Sequence, residues 1–181
     1  MSNFKSGFVS IIGRTNVGKS TLINSLAHEK IAITANKSQT TRTAIRAIIN
    51  RENSQIIFID TPGVHKPKTK LGNTMIETVW QTVPNSDVTL FVIDATQNKI
   101  GTGDRIILDK IKELKEKTIL VINKIDLVEK EKLLKIIEMY KNEYNFEAII
   151  PVSSLENENT EVILEEIEKI LPEGPMYYDV D

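Results

Sequence analysis

The chain has 181 residues, 40% of them hydrophobic and 27% charged, with a formal net charge of −2. It contains no cysteine, which excludes a disulfide framework, a thiolate metal site and a cysteine nucleophile. Its 23 Lys and Arg against 25 Asp and Glu leave no global basic field for holding nucleic acid by charge alone.

Short β-branched runs alternate with helical periodicities. Phe8–Ile12 reads as a strand running straight into a glycine-containing loop. Ser20–Glu29 follows as a helix with Leu22, Ile23 and Leu26 on one face. Ile45–Ile49 and Gln55–Ile59 are strands separated by Asn50-Arg51-Glu52-Asn53, a link short enough to imply an antiparallel hairpin. Gly72–Val83 reads as a helix stopped by Pro84. Val88–Ile93 and Thr118–Ile122 are nearly continuous apolar runs, suited to strands buried on both faces of a parallel sheet. Helices are expected over Asp104–Lys115, Glu129–Tyr144 and Thr160–Leu171, with a last strand at Ala148–Val152. The alternation implies an α/β fold with a mostly parallel sheet and helices on both sides. Pro172–Asp181 has no periodicity and reads as a linker. No apolar run approaches the roughly 18 residues of a membrane span. The start of the chain lacks a signal-peptide core, so the expectation is a cytoplasmic globular domain of 181 residues.

Gly13-Arg14-Thr15-Asn16-Val17-Gly18-Lys19-Ser20, followed by Thr21, fits the phosphate-loop pattern G-x-x-x-x-G-K-[ST]. Such a loop wraps phosphate oxygens with backbone N–H groups, and glycine is needed wherever a Cβ would collide. Lys19 would add a point charge on the β- and γ-phosphates, Ser20 a hydroxyl for Mg²⁺, and the following helix its N-terminus. By chance the pattern arises on the order of once in a hundred chains of this length. Here a strand precedes it and a helix follows.

Asp60-Thr61-Pro62-Gly63 follows the third strand. Asp60 could hold Mg²⁺ directly or through water, and the Gly63 N–H could face a γ-phosphate. Alone this is an ordinary turn; behind a phosphate loop it gains weight. Asn123-Lys124-Ile125-Asp126 follows the Thr118–Ile122 strand. A carboxylate at Asp126 can accept from both N1–H and the 2-amino group of guanine, a donor pair that adenine lacks. Asn123 would meet the base's other edge or brace the loops, and the Lys124 stem would cover the ring. Two weaker segments are Ser38–Arg42, where a threonine could complete a Mg²⁺ shell, and Ser153-Ser154-Leu155, whose backbone N–H groups could meet guanine O6.

These motifs, in this order, resemble those of the GTP-binding (G) proteins, and more closely the Era-like family of bacterial ribosome-assembly GTPases. The resemblance is carried by GRTNVGKSTL (Gly13–Leu22), Lys30–Thr34, Gln39-Thr40-Thr41-Arg42, DTPGVHKP (Asp60–Pro67), Asn123–Leu127 and LPEGPMYY (Leu171–Tyr178). It implies a P-loop NTPase G domain over residues 1–171, with a six-stranded, mostly parallel sheet, one antiparallel strand and helices on both faces. It also implies that residues 172–181 lead to a C-terminal KH domain, absent from this chain, that contacts ribosomal RNA of the small subunit. GTP and GDP would be the nucleotides. Mg²⁺ would be held by Ser20, Thr41 and Asp60, with Thr40 the alternative to Thr41, and Val64 would complete the segment around the γ-phosphate. Lys19, Thr41, Gly63 and Asn16 would act in hydrolysis, Asn16 by holding K⁺. A monomer in the cytoplasm is implied, with room for a peripheral contact at the inner face of the cell membrane.

Two departures matter. Thr15 stands where the family usually has proline, within the loop's variable stretch. Val64 stands where Ras-like GTPases place a water-positioning glutamine, so hydrolysis should be slow. Arg14 and Arg42 read as surface charges rather than an arginine finger. His28, His65 and the lysines at 66, 68 and 70 read as solvated, and Met75, Ile76 and Trp80 as core. The competing functions are a related GTPase of tRNA modification or large-subunit assembly, and a nucleotide-binding module with negligible hydrolysis.

Overall fold

The computed structural model describes residues 3–27, 31–32, 44–60 and 86–179. The helix expected over Gly72–Val83 lies outside them. The strands are β1 (Lys5–Gly13), β2 (Ile31–Ala32), β3 (Ala44–Arg51), β4 (Ser54–Asp60), β5 (Val88–Asp94), β6 (Thr118–Asn123) and β7 (Ala148–Pro151). The helices are α1 (Lys19–Leu26), α2 (Thr102–Leu114), α3 (Lys130–Lys141) and α4 (Thr160–Ile170), with a short 3₁₀ turn at Ile125–Leu127.

The strands form one sheet in the order β2-β3-β4-β1-β5-β6-β7. β1 pairs in parallel with β4 and β5, and the parallel run continues through β6 to β7. β3 is antiparallel to both of its neighbours. The expected six strands with one antiparallel member are therefore present, and the two-residue β2 adds an edge. The hairpin closes where Arg51 pairs with Ser54, leaving Glu52-Asn53 as the turn.

Strand alternation assigns the core to two faces. Val88, Leu90 and Val92 of β5 join the cluster that contains Leu22, Ile23 and Leu26 of α1 and Ile163, Leu164 and Ile167 of α4. Phe91 and Ile93 of the same strand face Ile107, Leu108 and Ile111 of α2 and Ile136 and Tyr140 of α3. Every residue of β6 is buried, because helices cover both of its faces. The period-2 and period-3.6 patterns thus meet in a three-layer sandwich.

Residues 172–179, without a helix or strand of their own, are fastened to the sheet. Lys5 bridges to Glu173, and the Ser6 and Gly174 N–H groups donate to the Pro172 and Phe4 carbonyls at 3.2 and 3.0 Å. The buried Gln55 accepts from the N–H groups of Tyr177 and Tyr178 and donates to the Tyr178 carbonyl at 2.8 Å. The Tyr177 ring lies 5.4 Å from that of Phe8. A segment without its own helix or strand is held here by side-chain and edge contacts that periodicity does not register.

Candidate nucleotide-binding site

The carboxyl ends of the parallel strands gather the motif residues. Ile11 is in register with Asp60, Gly13 with Val92, and Asp94 with Asn123. The chain leaves β1 toward β4 on one side while β5, β6 and β7 extend the other, so the crevice lies at a topological switch point.

The phosphate loop leaves β1 at Gly13. A Cβ there would lie 2.7 Å from the Val92 carbonyl oxygen and 3.0 Å from Val17 Cγ2. Thr15 and Asn16 form the exposed tip, with Asn16 in the left-handed region at φ 68°. The Val17 side chain turns back into the core. Gly18 stands at the N-cap of α1 with φ 97°, and a Cβ on it would strike the Asn123 side-chain amide. No side chain caps α1, and its first turn (Lys19, Ser20, Thr21) carries no acidic residue. The helix therefore presents its N–H groups and the positive end of its dipole to whatever the loop encloses, an arrangement suited to an anion.

The second half of the site is built onto the first. Asn123, 2% exposed, donates from Nδ2 to the Val17 carbonyl at 2.9 Å. Its Oδ1 accepts the Ser154 N–H at 3.0 Å and the Ser154 hydroxyl at 2.9 Å. Lys124 Nζ donates to the Asn16 carbonyl at 2.7 Å and to Asp94 Oδ2 at 3.1 Å. Partial burial pushes the Asp94 carboxyl up, but bonds from the Thr96 hydroxyl and N–H, and from Lys124, outweigh it and hold the group below its ordinary value. Ile125 packs against the α2–α3 cluster. Asp126 is exposed, and its Oδ1 accepts the Ser153 hydroxyl at 2.8 Å. The outcome is a carboxylate turned to solvent and oriented beside an anion cradle.

Asp60 ends β4 as expected, paired to β1 and β3. Thr41, Thr61, Pro62, Gly63 and Val64 lie outside the described residues, as do Arg42, His28, His65, Met75, Ile76, Trp80 and the lysines at 66, 68 and 70.

One expectation is corrected. Arg14 is not a free surface charge: its Nε lies 3.2 Å from Oδ1 of Asp104, a carboxylate 1% exposed in the first turn of α2. The backbone N–H groups of Ser153 and Ser154 are engaged within the protein. They donate to the Glu158 carbonyl and to Asn123, because the loop closes on itself and on β6. The neighbouring Leu155 is exposed. Sequence reasoning missed Asp94 and Asp104. The available signal for Asp94 was a carboxylate ending an apolar strand. For Asp104 there was none, since an acidic residue in a first helical turn is ordinary.

A mostly parallel sheet whose first strand feeds a glycine loop and a bare helix N-terminus, with an Asn-Lys-x-Asp loop bonded onto it, defines a P-loop domain of the GTPase type. Residues 8–124 match the family described as 50S ribosome-binding GTPase, and the chain belongs to that family. Within it, the chain is 50% identical over 97% of its length to GTPase Era of Caldanaerobacter subterraneus subsp. tengcongensis, and 50% identical over 97% to GTPase Era of Clostridioides difficile. It covers 58% and 59% of those proteins. Among solved structures, Era in complex with MgGDPNP and a segment of 16S ribosomal RNA superposes with a TM-score of 0.79 at 39% identity, over 97% of this chain and 60% of that one. A variant of Aquifex aeolicus Era bound to GDP and AlF4⁻ gives 0.80 at 39%, with the same coverage. The chain thus spans about three-fifths of the length of these relatives. No helix among the described residues is long and apolar enough to cross a membrane.

Proposed function

We propose that the chain is the nucleotide-gated part of an Era-type switch: it binds GTP and slowly converts it to GDP and phosphate, in the service of small-ribosomal-subunit assembly. The observation that carries this reading is the pair of bonds from Asn123 to Val17 and from Lys124 to Asn16. Through them one rigid unit presents both an anion cradle and the Asp126 carboxylate. Charge spreads over the phosphoryl oxygens during transfer, so positioning and neutralisation do most of the work. Lys19 and the loop amides neutralise the β- and γ-phosphates. Asp126 selects guanine by accepting its two adjacent donors.

The donors at Ser20, in the first turn of α1, and at Asp60, on the neighbouring strand end, are the hard oxygens that suit Mg²⁺, with Thr41 as a third ligand. When bound, Mg²⁺ would supply positive charge to the phosphate oxygens. Asn16, exposed at the loop tip, is the residue to hold K⁺. Gly63 offers its N–H to the γ-phosphate. Val64 cannot orient water by hydrogen bonding, which makes turnover slow. Ribosomal RNA is contacted through a C-terminal KH domain joined after residues 172–181. The relative solved with MgGDPNP and a 16S RNA segment supports that partner. The protein works in the cytoplasm as a monomer, with membrane contact limited to the periphery.

A single-turnover assay tests the reading. Excess protein is mixed with γ-labelled GTP or ATP and phosphate release is followed. Slow release from GTP and none from ATP is expected. Tight GTP binding without release would make the chain a binding module, and equal release from both nucleotides would overturn the guanine assignment.

A further inference from the structure

Arg14 and Asp104 are 90 positions apart and belong to different elements, yet they form an ion pair at the mouth of the site. Asp104 is 1% exposed, and its neighbours among the described residues include Arg14, Gln97 and Tyr140. Burial pushes its carboxyl up, and the Arg14 charge is the largest influence opposing that. Gln97 and Tyr140 also lie against it, and the Tyr140 hydroxyl donates to Gln97 Oε1 at 2.9 Å. A buried carboxylate held this way is a poor device for stability alone, because an apolar residue of similar size usually serves a core better. What the pair does provide is geometry. The phosphate loop is gripped at Val17 by Asn123, at Asn16 by Lys124 and at Arg14 by Asp104. The first two grips come from the base-reading loop. The third holds the limb by which the chain enters the loop, and it comes from α2, which belongs to no nucleotide motif.

We propose that Asp104 is a positioning residue for the phosphate loop: through Arg14 it holds the entry limb in the shape that receives phosphate. Arg14 is then a tether, and its charge is spent on Asp104 rather than on the nucleotide. The idea rests on the guanine-nucleotide reading above. Preorganisation lowers the ordering cost of binding, so its loss appears mainly in the rate at which ligand leaves.

The test follows dissociation of a fluorescent (mant) GDP from the 181-residue chain, at a temperature well below each variant's melting point. The variants are Asp104→Asn, Arg14→Gln and the double variant, with Glu143→Gln as a control. Glu143 clamps Arg105 and Lys112 of the same helix and does not touch Arg14. Each single variant is expected to release nucleotide about tenfold faster, and the double variant no faster than either, because both remove one interaction. Glu143→Gln is expected to lower the melting temperature and leave the release rate alone. Arg14→Gln alters a partly exposed side chain, so the idea stays testable if Asp104→Asn folds poorly. Wild-type release rates in both single variants, or multiplying effects in the double, would overturn the tether. Failure of the wild type to bind mant-GDP would overturn the guanine reading and the tether with it, whereas a binding wild type with unaffected variants sinks the tether alone.

Discussion

Asn123 Nδ2 donates to the carbonyl of Val17 at 2.9 Å, a bond between residues 106 positions apart that welds the end of β6 to the phosphate loop. Asn123→Ala strands three buried partners at once: the Val17 carbonyl and both donors of Ser154. The expected cost is about 3 kcal/mol of folding stability, since each abandoned buried group is worth about 1–3 kcal/mol. Denaturant unfolding and GDP titration should fall together, because the same bonds hold the core and shape the site.

Gly18→Ala attacks the same joint from the other side. The left-handed backbone at φ 97° costs a residue with a Cβ about 1 kcal/mol, and that Cβ strikes the Asn123 amide. Asn123 is bonded at both ends and can yield only by giving up the Val17 carbonyl. Loss of that bond corresponds to about 100-fold weaker nucleotide binding, at about 2–3 kcal/mol. Fluorescent-GDP affinity measures it; affinity within threefold of wild type would mean that the loop tolerates the methyl.

Asp126 is oriented by the Ser153 hydroxyl. Asp126→Asn keeps an oxygen for that bond but turns the second acceptor into a donor, which faces the guanine 2-amino group unfavourably and suits the C2 oxygen of xanthine. Competition between GDP and XDP should reverse in order. An unchanged preference for GDP would remove Asp126 from base recognition.

Asn16 stands at an exposed, left-handed loop tip with its carbonyl already committed to Lys124. If its side chain holds K⁺ beside the β/γ bridge, hydrolysis should be faster in KCl than in NaCl at equal ionic strength. Asn16→Ala should erase the difference. Equal rates in the two salts for the unaltered chain would exclude the cation.

Glu143 accepts from Arg105 at 2.8 Å and Lys112 at 2.6 Å, joining α2 to the segment after α3. The Arg105 bond, then the Lys112 bond, draw its carboxyl down from 4.5 to about 2. A carboxyl depressed in the folded state stabilises the fold in full above its unfolded value and loses that contribution as pH falls between the two. Wild type and Glu143→Gln should therefore differ in denaturant midpoint at pH 7, with the gap closing from pH 4.5 toward pH 2. A gap independent of pH would mean that the ion cluster contributes nothing through charge.

Much of this protein was already written in local order. The glycines at positions 13 and 18 announced the phosphate loop because its backbone needs positions without a Cβ. Val88–Ile93 and Thr118–Ile122 announced central strands because both of their faces had to be apolar. Tertiary structure decided the partners. It turned Asn123 into a brace, directed the Ser153 and Ser154 amides into the protein, paired Arg14 with the buried Asp104, and fastened the aperiodic tail to Gln55. The reason is physical: periodicity records which face of an element is buried, whereas a polar side chain's partner depends on which strand ends and helix turns the folded sheet places side by side.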